Sequence, residues 1–411
     1  MSNPTPASST PTASVPALMP WGIVIASCFG MFAATASGSV RSPFLLDMAT
    51  DLSASLPAIA NLFGISSVAW GLSSYTAGAL SDRLGRRMFL VGAPVLLSVS
   101  MAAAAFVSTY WAMVFLVVTA SLGCGALTGV SMAEVSLRSP EALRGRALGW
   151  VMSGQSLTLL VGVPLAAWLG AIVGWRGVHI GLASLAAAAM VGLFFATRVR
   201  VEKQAATSSG SGDQPQMTLR DALTGPVIRL FCALVCERVC FGMSAFYYPA
   251  YLRTAYELQV ADVALPLVGF AIGNIVGTLL GGQLADRFEY KRVSFACAVV
   301  IAGLCAFPWF GWQPGLLITA AFGVAFAFFD ALARTPLMAS LAAVPAEVRG
   351  VIMGLNSSIA SIGWLTAATV GGWLYAGSGF GAFGPLMLGL CITSALIVLK
   401  DTRLWRRGKS A

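Results

Sequence analysis

Apolar stretches of about twenty residues recur along the chain from Trp21 to Leu399, separated by short polar connections. A helix rises about 1.5 Å per residue, so each stretch can cross a hydrocarbon core about 30 Å thick. Gly and Ala are frequent within the stretches and no polar/apolar period of two appears, which predicts helices rather than barrel strands. The pattern predicts twelve spans, at 20–46, 57–81, 88–107, 110–134, 147–173, 177–197, 226–252, 262–284, 292–311, 315–340, 350–375 and 380–399.

Composition sharpens this into a membrane protein. Of 411 residues, 57% are hydrophobic and 10% charged, with a mean hydropathy of +0.82, too little charge to cover a soluble domain. The segment 1–19 holds no Lys or Arg and is rich in Ser, Thr and Pro, so it is expected to be a disordered tail. Without a basic start, the first span is expected to be retained rather than cleaved. The eight Cys are scattered without metal-ligand spacing and read as small packing residues. No metal site or cofactor is expected.

The net charge of +9 is placed for a membrane rather than for nucleic acid. Arg83, Arg86 and Arg87 follow span two; Arg144 and Arg146 follow span four; Arg198, Arg200, Lys203 and Arg220 follow span six. Arg287, Lys291 and Arg292 follow span eight, Arg349 follows span ten, and five more basic residues close the chain, whereas the opposite connections offer Arg176 and Arg253. By the positive-inside rule, both termini are cytoplasmic.

The polar segment 198–225 reads as a cytoplasmic linker between a first bundle at 20–197 and a second at 226–399, with a basic tail at 400–411. The two parts repeat at an offset of about 205 residues. The stretch 78–87, GALSDRLGRR, answers 281–292, with Asp82 and Arg83 matching Asp286 and Arg287. Pro43 answers Pro249, and 144–149 answers 349–354. Two six-helix bundles of one topology, related by an axis along the membrane normal, suit alternating access to a site near the midplane.

The run Gly78-Ala79-Leu80-Ser81-Asp82-Arg83-Leu84-Gly85-Arg86-Arg87 resembles the signature loop between spans two and three of the major facilitator superfamily. Taken with the spans, linker and repeat, the resemblance covers nearly the whole chain. It implies an all-α membrane fold and a secondary transporter, with Gly78 allowing close helix approach, Asp82 facing the start of span eleven, and Arg83, Arg87, Asp286 and Arg287 in a conformational latch. Glu134, near the end of span four, is the expected partner of Arg83. The second copy carries Glu289-Tyr290 in place of Leu-Gly. Gly162-Val163-Pro164 in span five and the Gly371-Gly372-Trp373 run resemble the drug:proton antiporter branch, with some similarity to monocarboxylate and oxalate/formate carriers. Against the antiporter pattern, Thr119 stands where an Arg is usual.

Charges at membrane depth are costly and ask for a role. Glu237 and Arg238 lie about 16 Å into span seven by helical rise. Asp330 and Arg334, four residues apart in span ten, share a helical face and either pair structurally or couple a proton to substrate. Arg41, late in span one, either snorkels to the outer interface or attracts an anion there. Tyr247, Asn274 and Trp364 are either packing residues or cavity lining. His179, the single histidine, is placed at the periphery of span six.

These features point to a multi-pass inner-membrane carrier, expected to be monomeric, that exports a small organic molecule with proton coupling through Asp330 or Glu237. The alternative is a proton-linked carboxylate carrier using Arg238, Arg334 and Arg41. An intramembrane enzyme is disfavoured, because one histidine and unclustered cysteines supply no nucleophile, base and metal constellation.

Overall fold

The computed structural model describes residues 18–198, 223–287, 291–342 and 346–400. Most of the expected linker, the first tail and residues 401–411 lie outside the described residues. The helices are α1 (Trp21–Ser39), α2 (Leu45–Asp51), α3 (Leu56–Leu84), α4 (Arg86–Ala104), α5 (Tyr110–Arg138), α6 (Arg144–Leu157) and α7 (Val163–Ala196) in the first half. They continue as α8 (Gly225–Ala255), α9 (Ala264–Arg287), α10 (Lys291–Trp309), α11 (Leu316–Ala342), α12 (Ala346–Ser378) and α13 (Phe383–Leu399) in the second.

Nine helical runs among the described residues are long and apolar enough to cross a membrane. Two of them, Arg144–Ala196 and Ser358–Leu399, hold 53 and 42 residues, twice what a crossing needs. Each reverses at a glycine with left-handed backbone, Gly174 at φ 69° and Gly379 at φ 63°, a conformation that costs a side-chain-bearing residue dearly. The nine runs therefore make eleven crossings, and α8, which carries Arg229, Glu237, Arg238 and Arg253, makes the twelfth.

Span one is shorter than its pattern predicts. α1 ends at Ser39, and a 3-10 turn over Ser42–Phe44 leads into α2. Pro43 has no N–H to give and its ring crowds the carbonyl of Ser39, four residues earlier, where α1 ends. Pro249, its counterpart in the repeat, sits inside a continuous α8. Span five contains a π-helical turn over Thr158–Gly162, just before Pro164.

The same pairings recur in both halves. α3 packs on α5 as α9 packs on α11, α4 on α7 as α10 on α13, and α1 on α6 as α8 on α12. The halves meet along α3 and α12, along α7 with the π turn against α9, and where the Ser42–Phe44 turn touches α8. This is the twelve-span, two-bundle architecture the repeat implies.

Candidate functional site

Glu237 lies twelve residues from the start of α8 and Asp330 fourteen from the start of α11, about 18 and 21 Å along their helices. Both are at mid-depth, and both are 1% exposed. Arg334 joins them: its Nε donates to Glu237 Oε1 at 2.7 Å and its Nη2 to Asp330 Oδ2 at 2.7 Å. Arg238 places Nε 3.3 Å from Glu237 Oε2. The i,i+4 spacing on α11 makes the Asp330–Arg334 contact local. The Glu237 contact spans 97 residues and is a product of packing.

With all four groups ionised, the cluster is neutral. Its carboxylates are closed off, with side chains 0% and 1% exposed, while Arg238 and Arg334 keep 16% and 17%. Asp330 Oδ1 and Glu237 Oε2 have no hydrogen-bond partner among the described residues. Asp330 thus keeps one oxygen free for a proton or a donor, while Glu237 Oε2 faces Arg238.

An aromatic column rises from this cluster. The Arg334 guanidinium stands over the Phe241 ring at 4.5 Å. Phe241 meets Trp364 at 5.7 Å, Trp364 meets Phe246 at 5.3 Å, and Phe246 stacks on Phe63 at 4.2 Å and 15°. Phe63 belongs to α3 and Phe246 to α8, so the last contact joins the two halves. Arg41 caps the column, 5.2 Å above Phe63.

The fold also places the remaining candidates, and it corrects the expectation for Arg41. Arg41 is 2% exposed and does not snorkel, because α1 ends beneath it and the chain folds over it as α2. Tyr247 is fully buried and donates its hydroxyl to the Ala368 carbonyl at 2.7 Å, so it packs α8 on α12 instead of lining a cavity. Asn274 is 7% exposed with an unpartnered Nδ2. Trp364 is half-buried within the aromatic column. His179 is fully buried, and its Nδ1 donates to the Trp175 carbonyl at 2.8 Å.

The loop at 78–87 also differs from expectation. Glu134 accepts from Arg138 Nε at 2.6 Å and pairs with Arg86 at 3.6 Å. Arg83, in the last turn of α3, is exposed; Gly85 at φ 95° turns the chain so that Arg86, the first residue of α4, faces α5 in its place. Asp82 pairs with Arg86 at 2.9 Å and stays 64% exposed; the side chains at the start of α12, its expected partner, lie outside the described residues. A Cβ added at Gly78 would meet nothing within 4 Å among the described residues. Arg87 lies over the Phe194 ring at 5.3 Å. Asp286 and Arg287 close α9, and their side chains lie outside the described residues.

At the opposite end, the two halves are tied by a pair that the sequence reading passes over. Arg253 donates to both oxygens of Asp47, at 2.6 and 3.0 Å, and to the Pro43 carbonyl at 3.1 Å. A signal was available: Asp47 and Arg253 each stand four residues after a matched proline, with opposite charge.

A twelve-span bundle pair with a neutral charge cluster at its midplane defines a secondary transporter rather than a pore or an enzyme. The chain belongs to the Major Facilitator Superfamily, whose family model matches residues 27–313 and again 230–410. It is 25% identical over 358 residues to the chloramphenicol resistance protein of Streptomyces lividans, covering 86% of this chain and 88% of that one. It is 24% identical over 395 residues to the purine ribonucleoside efflux pump NepI of Salmonella paratyphi A, covering 93% and 94%. Among solved structures, a D-xylose-proton symporter matches with a TM-score of 0.76 at 16% identity, covering 95% of this chain and 99% of that one. A bacterial Spinster homologue, described as inward-facing and unoccupied, matches with a TM-score of 0.72 at 14% identity, covering 94% and 95%. These two likenesses concern the fold alone.

Proposed function

We propose that this transporter is a proton-coupled exporter of a small organic molecule, and that the Glu237–Arg238–Asp330–Arg334 cluster carries the coupling. The observation that supports it most is the Arg334 fork. One guanidinium holds a carboxylate on α8 and another on α11, and Asp330 keeps an unbonded oxygen.

A proton added to Asp330 Oδ1 neutralises that carboxylate and weakens its hold on Arg334. The cluster then carries a net positive charge, and Arg334 is released toward the side from which Arg238 and Arg334 are accessible. Loss of the proton recloses the fork. The proton and a hydrogen-bond donor of the substrate both need Asp330 Oδ1, so they exclude one another there, which is what an antiporter requires. The Arg-rich end, with both termini, is assigned to the cytoplasm. In this conformation the Asp47–Arg253 tie and the Phe63–Phe246 stack support a protein closed at the outer end. At the other end, the Asp82–Arg86–Glu134 set ties α3, α4 and α5 together within the first half. The efflux named in the chloramphenicol resistance and NepI relatives supports the direction of transport.

Inverted membrane vesicles energised to an acidic interior test the reading. Chloramphenicol or a purine ribonucleoside, added as substrate probes, is expected to dissipate the pH gradient in the wild type. Asp330→Asn is expected to lose at least about tenfold of that proton flux, since the group that binds the proton is gone. Unchanged proton-driven flux in Asp330→Asn removes Asp330 from the coupling role.

A second reading rests on one observation: the guanidiniums face the accessible side, while their carboxylates are shielded. That polarity suits a carboxylate substrate. Uptake of a labelled carboxylate that is abolished by Arg238→Ala would favour it over drug export.

A further inference from the structure

Arg41 differs from the other arginines at membrane depth in having no counter-charge among the described residues. Arg238 and Arg334 are provided with Glu237 and Asp330 by the fold. Arg41, 2% exposed, donates from Nη2 to the Gly38 carbonyl at a long 3.4 Å, and its Nε and Nη1 have no partner among the described residues. Three of its five N–H donors sit on those two nitrogens.

The carboxylates nearest in sequence are committed elsewhere. Both oxygens of Asp47 are held by Arg253. Asp51 accepts from Trp175 Nε1 at 2.9 Å and pairs with Arg176 at 3.6 Å. The remaining surroundings are neutral. The Phe63 ring lies on one side. The Cys124 thiol, within electrostatic reach of Arg41, is 3.2 Å from the Ser37 hydroxyl. The His179 ring donates from Nδ1 to Trp175, and its Nε2 has no partner among the described residues.

A guanidinium buried with no anion is among the least tolerable groups in a low-dielectric interior. The equivalent position in the second half, Tyr247, finds its partner within the fold, in the Ala368 carbonyl. Among the described residues none supplies the partner that Arg41 lacks, which leaves that place to a group from outside the chain.

We propose that Arg41 binds a small monovalent anion, of the halide or carboxylate class, at a site in the first half separate from the charge cluster. The Phe63, Phe246, Trp364 and Phe241 rings stand between this site and Arg334. The site goes beyond the coupling reading and does not depend on which carboxylate carries the proton there. The anion balances Arg41 while the Asp47–Arg253 tie covers it.

The test uses the purified full chain in detergent, with thermal unfolding followed by tryptophan fluorescence. Sodium chloride and sodium acetate are each titrated against sodium gluconate at constant ionic strength. One or both small anions are expected to raise the wild-type midpoint saturably; which one does so separates a halide from a carboxylate occupant. Arg41→Gln is expected to raise the half-saturating concentration about tenfold or more, as loss of a charge-assisted partner does. Arg176→Gln, at the exposed end, is expected to keep the wild-type response. Cys124→Asp supplies a carboxylate within the fold and is expected to abolish the response while holding the gluconate midpoint at or above wild type, which decides the matter should Arg41→Gln not fold. Equal midpoints of the wild type in chloride, acetate and gluconate overturn the proposal. So does an unaltered anion response in either Arg41→Gln or Cys124→Asp.

Discussion

Each side chain in the charge cluster is tolerable only because of the others. Glu237 and Asp330 share the Arg334 fork, and Arg238 adds a second cation beside Glu237. Removing one member leaves an uncompensated buried charge, which costs about 3–5 kcal/mol, whereas a surface pair is worth under about 1 kcal/mol. Arg334→Gln is therefore expected to lose about 3–5 kcal/mol of stability in chemical denaturation of the purified protein. Adding Asp330→Asn should restore part of it by removing a carboxylate left unpaired. A loss below about 1 kcal/mol in the single variant would mean that solvent or lipid headgroups already screen the site. The sequence shows the four residues at membrane depth and the i,i+4 relation of Asp330 to Arg334. It does not show Glu237 meeting Arg334, since residues 97 apart are brought together by the rotation of two helices about their own axes.

At the scale of elements, α11 is positioned by a glycine face on α9. Gly269, Gly273, Gly277 and Gly281 repeat every four residues, so they form one stripe along the helix. A Cβ at Gly273, Gly277 or Gly281 would run into the carbonyls of Val324, Phe328 and Leu332, respectively. This is the small-residue packing that membrane helices use in place of a hydrophobic drive. Gly277→Val is expected to push α11 away at Phe328, two residues before Asp330, at a cost of about 1–3 kcal/mol from overpacking. Both the unfolding midpoint and the proton flux should fall. Gly282→Val is the contrast, because the nearest atom to its Cβ, Thr335 Cγ2, is 4.0 Å away; it should behave as wild type in both measurements.

For the whole molecule, the relation between the halves is set by contacts at one end. Arg253 and Asp47 join α8 to α2, and Phe63 stacks on Phe246 beneath them. The pair is partly exposed, at 14% and 36% of the two side chains, so it is worth about 1 kcal/mol, or about fivefold in the population of the closed state. Spin labels at Ser53 and Glu257, in a background without the native cysteines, report the separation of the two halves at this end. Arg253→Gln is expected to shift their distance distribution toward longer separations. An unchanged distribution would mean that the aromatic stack and the α3–α12 contact hold this end shut without the ion pair.

Helix count, the two-fold repeat and the family were legible in the sequence because hydropathy, glycine spacing and the loop at 78–87 are local properties, readable one helix at a time. The contents of the site were not. Neighbouring residues of a helix point about 100° apart, so a small axial rotation decides which side chain meets the next span. That rotation placed Arg86 rather than Arg83 on Glu134. It also turned Tyr247 into the packing and drew Glu237 to Arg334. The break at Ser39 folded the chain over Arg41 and left it buried without a counter-charge among the described residues. The sequence by itself determined a two-bundle membrane carrier; which charges pair, and which buried cation is left alone, was decided by the packing of one helix on another.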